Sequence, residues 1–144
     1  MTTIFETMSQ RARDCQQLIA DIDLIRPLTF ESSPSVETVK ELLNGAAAIY
    51  ELRFAALLDA YSVAIKEEGF SHYEVEECVM NWWGACSDLR CAAEGVENGI
   101  LDTDGLDNAL LGISALSLVR GARFVKVFEA ARSTAMGAGP IEAS

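Results

Sequence analysis

The sequence is poor in the residues that carry most metal and acid–base chemistry. Its 144 residues include one histidine, His72, and four cysteines. A carboxylate-bridged di-metal site in a helical bundle needs two Glu-x-x-His pairs, which this chain cannot supply. The cysteine spacing matches no zinc motif, and no spacing around His72 indicates a Cys–His or Ser–His pair. We therefore predict no catalytic residue, no metal site and no cofactor.

Proline and long apolar runs are also scarce. Three prolines and 50% hydrophobic residues are typical of a globular chain rather than a disordered one. The longest uncharged run in the helical part, residues 108–119, is shorter than the ~20 apolar residues of a membrane span. The first residues lack the basic and apolar segments of a secretory signal. We expect a cytoplasmic protein that makes no membrane contact and keeps its cysteines reduced.

Apolar residues recur at alternating spacings of three and four residues in four segments, as in amphipathic helices. The first begins at Thr3, where Glu6 completes a capping box, and runs to about Ile25. Residues 26–33 follow as a linker that contains Pro27. The predicted core positions of this helix are Phe5, Met8, Ala12, Cys15, Ile19 and Ile22.

The second helix is predicted to begin at Pro34 or Ser35 and to end at Glu68, where Gly69 supplies a left-handed stop. Its apolar positions are Val36, Val39, Leu42, Leu43, Ala46, Ile49, Leu52, Ala56, Leu57 and Val63. The third helix begins at a second capping box, Ser71 to Glu74, and continues to the stop at Asn98-Gly99. Its predicted seam is Val75, Val79, Trp82, Cys86, Leu89, Ala93, Val96 and Ile100.

The fourth helix follows an acidic turn at residues 102–107, whose Asp and Thr side chains suit a helix start, and runs to about Met136. One apolar seam along it is Leu106, Leu110, Ile113, Ser117, Phe124 and Val127. The other is Leu111, Ser114, Leu118, Gly121, Val125 and Phe128. A helix that is apolar on two sides lies at the centre of a fold or contacts another subunit.

These segments predict an all-α fold, an up-and-down four-helix bundle of long amphipathic helices. We expect residues 1–136 to form a single domain and residues 137–144 to form a flexible tail. The first helix is predicted to be much shorter than the second and fourth, which leaves parts of those two uncovered. A homodimer would cover them.

Negative charge is concentrated in one part of the chain. Residues 67–107 contain eleven acidic residues and one basic residue, Arg90, so they carry −10 of the net charge of −11. Four cations gather on the last half of the fourth helix: Arg120, Arg123, Lys126 and Arg132. Because nucleic-acid binding depends on Lys and Arg, the acidic block argues against direct nucleic-acid binding. It favours a basic protein surface as the partner.

We therefore predict a non-enzymatic protein that binds and inhibits or modulates a basic protein, as an inhibitor, immunity factor or anti-defence factor. In a sharper version, its carboxylates mimic the phosphates of a nucleic acid. Trp83, beside the small Gly84, is a candidate interface anchor. The candidate partner-binding residues are Glu74, Glu76, Glu77, Trp83, Asp88, Glu94 and Glu97.

Three other interpretations remain open. A secretion or assembly chaperone, or a structural subunit of a complex, would bind through the apolar faces of the second and fourth helices. An enzyme would need a buried carboxylate cluster, for which Glu51, Asp59 and Asp88 are the candidates. The charge could also serve solubility alone. Cys91 falls opposite the third seam and is predicted to be the exposed thiol.

Overall fold

A computed structural model describes residues 3–31 and 34–135, and almost all of them are helical. Within these two ranges there are five helices and no strand: α1 (Ile4–Glu31), α2 (Val36–Glu68), α3 (Tyr73–Trp82), α4 (Gly84–Glu97) and α5 (Thr103–Ala135). The predicted all-α class is confirmed. The predicted tail, residues 137–144, lies outside the described residues.

The helices pack around an apolar core to which all five contribute. α1 and α4 each contact both α2 and α5, and α3 contacts α5. α2 and α5 both pack against α1 and α4 and contact each other little. Within the described residues, no helix has the length and apolar composition that a membrane span needs.

Two helix starts follow their predicted signals. At the start of α1, the Glu6 amide donates to Thr3 Oγ1 at 3.1 Å and the Thr3 amide donates to Glu6 Oε1 at 2.9 Å, which is the predicted capping box. At the start of α5, Asp102 Oδ1 accepts a hydrogen bond from the Gly105 amide at 2.7 Å. These side chains satisfy amides that have no partner within the helix.

Two local predictions were wrong. The residue before α3 is His72, whose side chain makes no cap, so the Ser71 capping box is not formed. Residues 26–31 are not a linker, because α1 continues through Pro27. A proline removes one helical hydrogen bond, but tertiary contact holds this turn: Arg26 Nε donates to Asp107 Oδ1 of α5 at 2.8 Å. Thr29, which is buried here, donates its hydroxyl to the Arg26 carbonyl.

The predicted third helix is divided in two at Trp83. The Trp83 carbonyl accepts the Cys86 amide at 3.3 Å, a bond over three residues rather than four. The Trp82 carbonyl accepts the Tyr50 hydroxyl at 2.6 Å, so a side chain of α2 satisfies a group at the break. The predicted seam continues across the break and is buried except at its last residue, Ile100, which is exposed: Val75, Val79, Trp82, Cys86, Leu89, Ala93 and Val96.

Much of the predicted seam of α2 lies on the surface. Leu52 is 69% exposed, and Val36, Ile49 and Val63 are also exposed. The buried residues form a neighbouring stripe: Val39, Leu43, Ala47, Tyr50, Phe54, Leu57, Ala60, Tyr61 and Ala64. Tyr50 and Phe54 are the largest of them that are fully buried, and their rings stack 5.9 Å apart. We therefore correct the inner face of α2 to this stripe.

α5 buries most of one predicted seam and exposes most of the other. Leu106, Leu110, Ile113, Ser117 and Phe124 are buried and Val127 is half-buried, as predicted. In the second seam, Phe128 and Gly121 are buried, whereas Leu111, Leu118 and Val125 are exposed. In α1, Leu18 is fully buried while the predicted Ile19 is half-buried. α2 and α5 each keep an apolar stripe that faces outward.

The left-handed conformation at the end of α2 can be tested by substitution. Gly69 has φ of 66°, and an added Cβ would meet open space. We expect Gly69→Ala to lower the free energy of unfolding by about 1–2 kcal/mol, because a Cβ disfavours this conformation. Gly45 lies inside α2 and also faces open space, so the control Gly45→Ala should raise stability by about 1 kcal/mol. Urea unfolding measures both, and effects of the same sign would contradict the left-handed cap.

Candidate functional site

The predicted acidic site is divided among three places on the surface. Glu74, Glu76 and Glu77 lie on α3 and are exposed. Asp88 and Glu94 lie on α4 beside a groove that α4 forms with α5. The remaining carboxylate, that of Glu97, lies at the end of α4 and pairs with a lysine of α2. The structure thus brings the α3 carboxylates together and separates them from the others.

The α3 carboxylates continue an acidic corner that begins at the end of α2. Glu67 and Glu68 are the last residues of α2 and are exposed. Across the described ranges, no lysine, arginine or histidine forms an ion pair with these two residues or with the three α3 carboxylates. The N-terminal end of a helix stabilises nearby negative charge, so α3 suits its first-turn carboxylates. The corner and α3 therefore present five carboxylates that are not held in ion pairs within the described residues.

The outward side of α3 also carries two large apolar side chains. Tyr73 is 74% exposed and Met80 is 60% exposed. Residues seven apart in a helix lie on the same side, and Glu76 and Glu77 fall between them on that side. The Tyr73 hydroxyl donates to Glu77 Oε2 at 3.3 Å. We call these four residues the α3 face. The sequence analysis did not identify Tyr73 and Met80 as candidates. Their positions outside the buried seam were a signal that both side chains are exposed.

Trp83 is only partly exposed. Its ring packs 5.1 Å from that of Phe54, and Trp83 lies against the apolar core. Much of the side chain is therefore already in contact within the protein. The role of Trp83 as an interface anchor stays a prediction, with less free surface than an exposed tryptophan would offer.

Cations from other helices balance the acidic residues of α4. Lys40 Nζ lies 3.0 Å from Glu97 Oε2, and this hydrogen bond raises the pKa of Lys40. Arg120 Nη1 lies 3.5 Å from Asp88 Oδ2. Such pairs leave less charge for a partner, although exposed ion pairs add little stability. Among the predicted residues of α4, Glu94 keeps its carboxylate exposed and has no ion pair with another described residue.

The three carboxylates that an enzyme would need do not form a buried cluster. Glu51 pairs with Arg90 of α4, Asp88 pairs with Arg120, and Asp59 is exposed on α2. In the described part of the chain, no three His, Cys, Asp or Glu residues are placed to share a metal ion. These residues instead join helices or face solvent.

The cysteines divide as predicted. Cys15 and Cys86 are buried, and burial raises the pKa of Cys15 to about 12. Cys78 is also buried, whereas Cys91 is exposed. Cys91 lines the groove of about 500 Å³ between α4 and α5 with Asp88 and Glu94. The walls of this groove are mostly apolar and include Leu101, Ile113 and Leu116.

A groove of about 860 Å³ lies between the start of α3 and the end of α5. It is lined by His72 and Glu74 on one side and by Arg123 and Lys126 on the other. The basic part of α5 therefore borders the acidic start of α3. The surface changes sign across this groove, so the α3 face is bounded on one edge by positive charge.

Comparison with known proteins gives no relative: the chain matches no protein-family description, no curated protein and no solved structure.

Proposed function

We propose that this chain is a non-enzymatic binding protein that captures a basic protein partner through the α3 face and inhibits or modulates it. One observation carries the proposal: Tyr73 and Met80 are exposed on the same side of α3 as Glu76 and Glu77. Tyrosine is enriched at the centres of interfaces, and methionine adapts to irregular apolar surfaces. Carboxylates beside them select a partner that carries Lys or Arg.

The charge of the wider segment around the α3 face also favours a basic protein partner. Residues 67–107 carry −10 of the net charge of −11, and the unpaired corner at Glu67, Glu68 and Glu74 continues the α3 face. A concentrated field of one sign accelerates encounter with a surface of the opposite sign. The partner that fits is a basic segment with apolar side chains spaced to meet Tyr73 and Met80. If the protein mimics a nucleic acid, the two carboxylates at the end of α2 and the three on α3 occupy phosphate positions in a basic groove of the partner.

A second candidate function rests on the outer stripe of α2. Ile49, Leu52 and Val63 are exposed there, and spacings of three and eleven residues, close to one and three helical turns, place them on one side of the helix. Such a stripe favours a chaperone or a structural subunit that binds an apolar helix. The two functions differ in salt dependence, because salt screens charged contacts and leaves apolar ones.

The proposed architecture is an up-and-down four-helix bundle of residues 1–136 in which α3 and α4 together take the place of one helix. Helix contacts support it, since α1 and α4 each lie against both α2 and α5. We further propose that the protein is cytoplasmic, binds no nucleic acid directly and forms a homodimer.

A basic amphipathic helical peptide of leucine and lysine serves as the probe of the α3 face. We expect the pair Glu76→Lys and Glu77→Lys to weaken its affinity at low salt by about tenfold, or 1.4 kcal/mol. The control pair, Glu41→Lys and Asp59→Lys, makes the same change of net charge on exposed positions of α2. Fluorescence anisotropy of the labelled peptide measures both pairs.

The two pairs separate local recognition from net charge. A similar loss from both pairs would mean that only the overall charge attracts the peptide, and unchanged affinity after the α3 pair would refute the α3 face. Tyr73→Ala should weaken binding at high salt as well, since its contact is apolar. Capture from a lysate of source cells at low and high salt, with mass spectrometry, then identifies the partner itself.

A further inference from the structure

The middle of α5 presents an outward surface without charge. Leu118 is 58% exposed and Val119 is 65% exposed, and Leu111 and the alanines at 115 and 122 are exposed on the same side. We call these five residues the α5 face. Residues 108–119 contain no charged side chain. An exposed apolar stripe of this length, bordered by polar residues, is typical of an interface.

Charges of opposite sign bound the α5 face. Asp104 lies at its N-terminal end and Lys126 at its C-terminal end, and both are exposed. Their separation of 22 residues is close to a whole number of helical turns, so both lie on the side of the α5 face, about 33 Å apart. In the described residues neither forms an ion pair. A stripe with an acid at one end and a base at the other is complementary in charge to a second copy of itself that runs in the opposite direction.

We propose that the α5 face binds the α5 face of a second copy, with the two helices antiparallel and their twofold axis at Ala115. This deepens the homodimer proposed above by naming its surface and register. In this register Asp104 faces Lys126 of the second copy, and Leu111 faces its Val119. A parallel pair would instead place Asp104 against the same aspartate, which is repulsive.

Small residues at the centre of the face suit close approach. Gly112 and Ala115 are exposed, and an added Cβ at Gly112 would meet open space. The axes of two packed helices lie about 8–10 Å apart, depending on the side chains at the contact, and small residues favour the shorter distances. Leu111 and Leu118 can then pack on either side of the axis.

The surface beside α5 extends the contact. Leu118 lines one shallow groove with Ile19 and Ala20 of α1, and Leu116 lines the groove between α4 and α5. A second copy of α5 would cover parts of both grooves. A stable interface buries about 800 Å² on each partner, and these flanking residues would add to the area of the helix stripe.

The outer stripe of α2 is a poorer surface for a second copy. Asp59 falls within it, between the exposed Leu52 and Val63. Reversed self-pairing of α2 around Leu52 would place Asp59 near Gly45 of the second copy, with no cation opposite. Enclosing an unpaired carboxylate in an interface costs several kcal/mol. A second copy is therefore favoured on α5.

Sedimentation equilibrium tests the surface. We expect the wild-type chain to be dimeric at about 100 µM, as for an interface of micromolar affinity. Leu118→Glu should raise the dimer dissociation constant by at least about a hundredfold, because the two introduced carboxylates lie near the axis. Leu52→Glu on α2 is the matched control and should leave it unchanged. A monomeric wild type would refute the homodimer itself, and a dimer broken only by Leu52→Glu would refute the α5 face.

A charge exchange tests the register. Asp104→Lys and Lys126→Asp should each weaken the dimer by about tenfold, and the double variant should restore it, as a double-mutant cycle requires. If neither single substitution weakens the dimer, the antiparallel register is wrong. Circular dichroism confirms that each variant remains helical. Binding of the leucine–lysine peptide should survive Leu118→Glu, so failure of the dimer and failure of the α3 face are distinguishable.

Discussion

Trp82→Ala is expected to lower the free energy of unfolding by about 3–5 kcal/mol, the range for deleting a large aromatic side chain from a core. Trp82 is fully buried, and its ring lies 5.6 Å from that of Phe124. It also contacts α5 at Gly121, where an added Cβ would be only 3.0 Å from Trp82 Cζ2. Gly121 has no side chain that could move into the space. The cavity would therefore stay open, which places the cost in the upper part of the range.

Urea unfolding followed by circular dichroism measures this loss, since the substitution itself changes tryptophan fluorescence. Trp82→Phe keeps most of the ring volume and removes an indole N–H that has no hydrogen-bond partner in the described part of the chain. It should cost less than half as much. Trp83→Ala is the matched control on a partly exposed tryptophan. A larger loss from Trp83→Ala than from Trp82→Ala would contradict this assignment of the core.

The burial of Trp82 could be predicted from the sequence because one apolar seam runs without interruption along the predicted third helix. Val75, Val79, Trp82 and Leu89 share one seam, which the structure buries. The break at Trp83 could not be predicted from that seam. It depends on Tyr50, a residue of another helix, whose hydroxyl satisfies the Trp82 carbonyl.

The sequence predicts that α2 is a helix, but it does not predict which side of α2 faces the core. It carries two apolar stripes, and periodicity cannot tell which stripe meets the core. The structure buries the stripe with Tyr50 and Phe54 and leaves Leu52 outside. Aromatic side chains bury more surface than leucine, so a choice by side-chain size would have favoured the observed face.

Local signals near Pro27 and Ser71 failed for a related reason. Pro27 is a helix breaker by its own chemistry, yet the Arg26–Asp107 pair and the buried Thr29 hold the turn in α1. The Ser71 motif has the spacing of a capping box, but α3 begins one residue later than that motif requires. At Pro27, tertiary contact outweighed a helix-interior cost of about 3 kcal/mol, and at Ser71 the cap that is not formed is worth about 1 kcal/mol.

For the candidate site, the sequence predicts where negative charge is concentrated and not how much of it is free. Lys40 and Arg120 come from α2 and α5 to pair with Glu97 and Asp88, and no spacing within the acidic block indicates those partners. Removing the paired residues leaves the α2–α3 corner, beside the exposed Tyr73, together with Glu94 and the two aspartates at 102 and 104. The proposed site is therefore smaller than the acidic block and more apolar.

Tyr50→Phe is expected to lower the free energy of unfolding by about 1–3 kcal/mol, because it leaves a buried carbonyl without its hydrogen bond. The Tyr50 hydroxyl donates to the Trp82 carbonyl at 2.6 Å, and Tyr50 is fully buried. Burial also raises the pKa of this hydroxyl, so it stays protonated and remains a donor through the alkaline range in which an exposed tyrosine ionises. The ring stays in place in the variant, so the loss reports the hydrogen bond rather than packing.

Tyr73→Phe supplies the comparison, since the hydroxyl of Tyr73 is exposed and donates only to the Glu77 side chain. Its cost should be within about 0.5 kcal/mol of zero, as for most surface substitutions. Urea unfolding gives both values, and hydrogen exchange at the Cys86 amide reports whether the break itself loosens. Equal losses in the two variants would mean that the Tyr50 hydroxyl does not hold the break. A selective loss with faster exchange at Cys86 would link α2 to the position of α3, and through it to the α3 face.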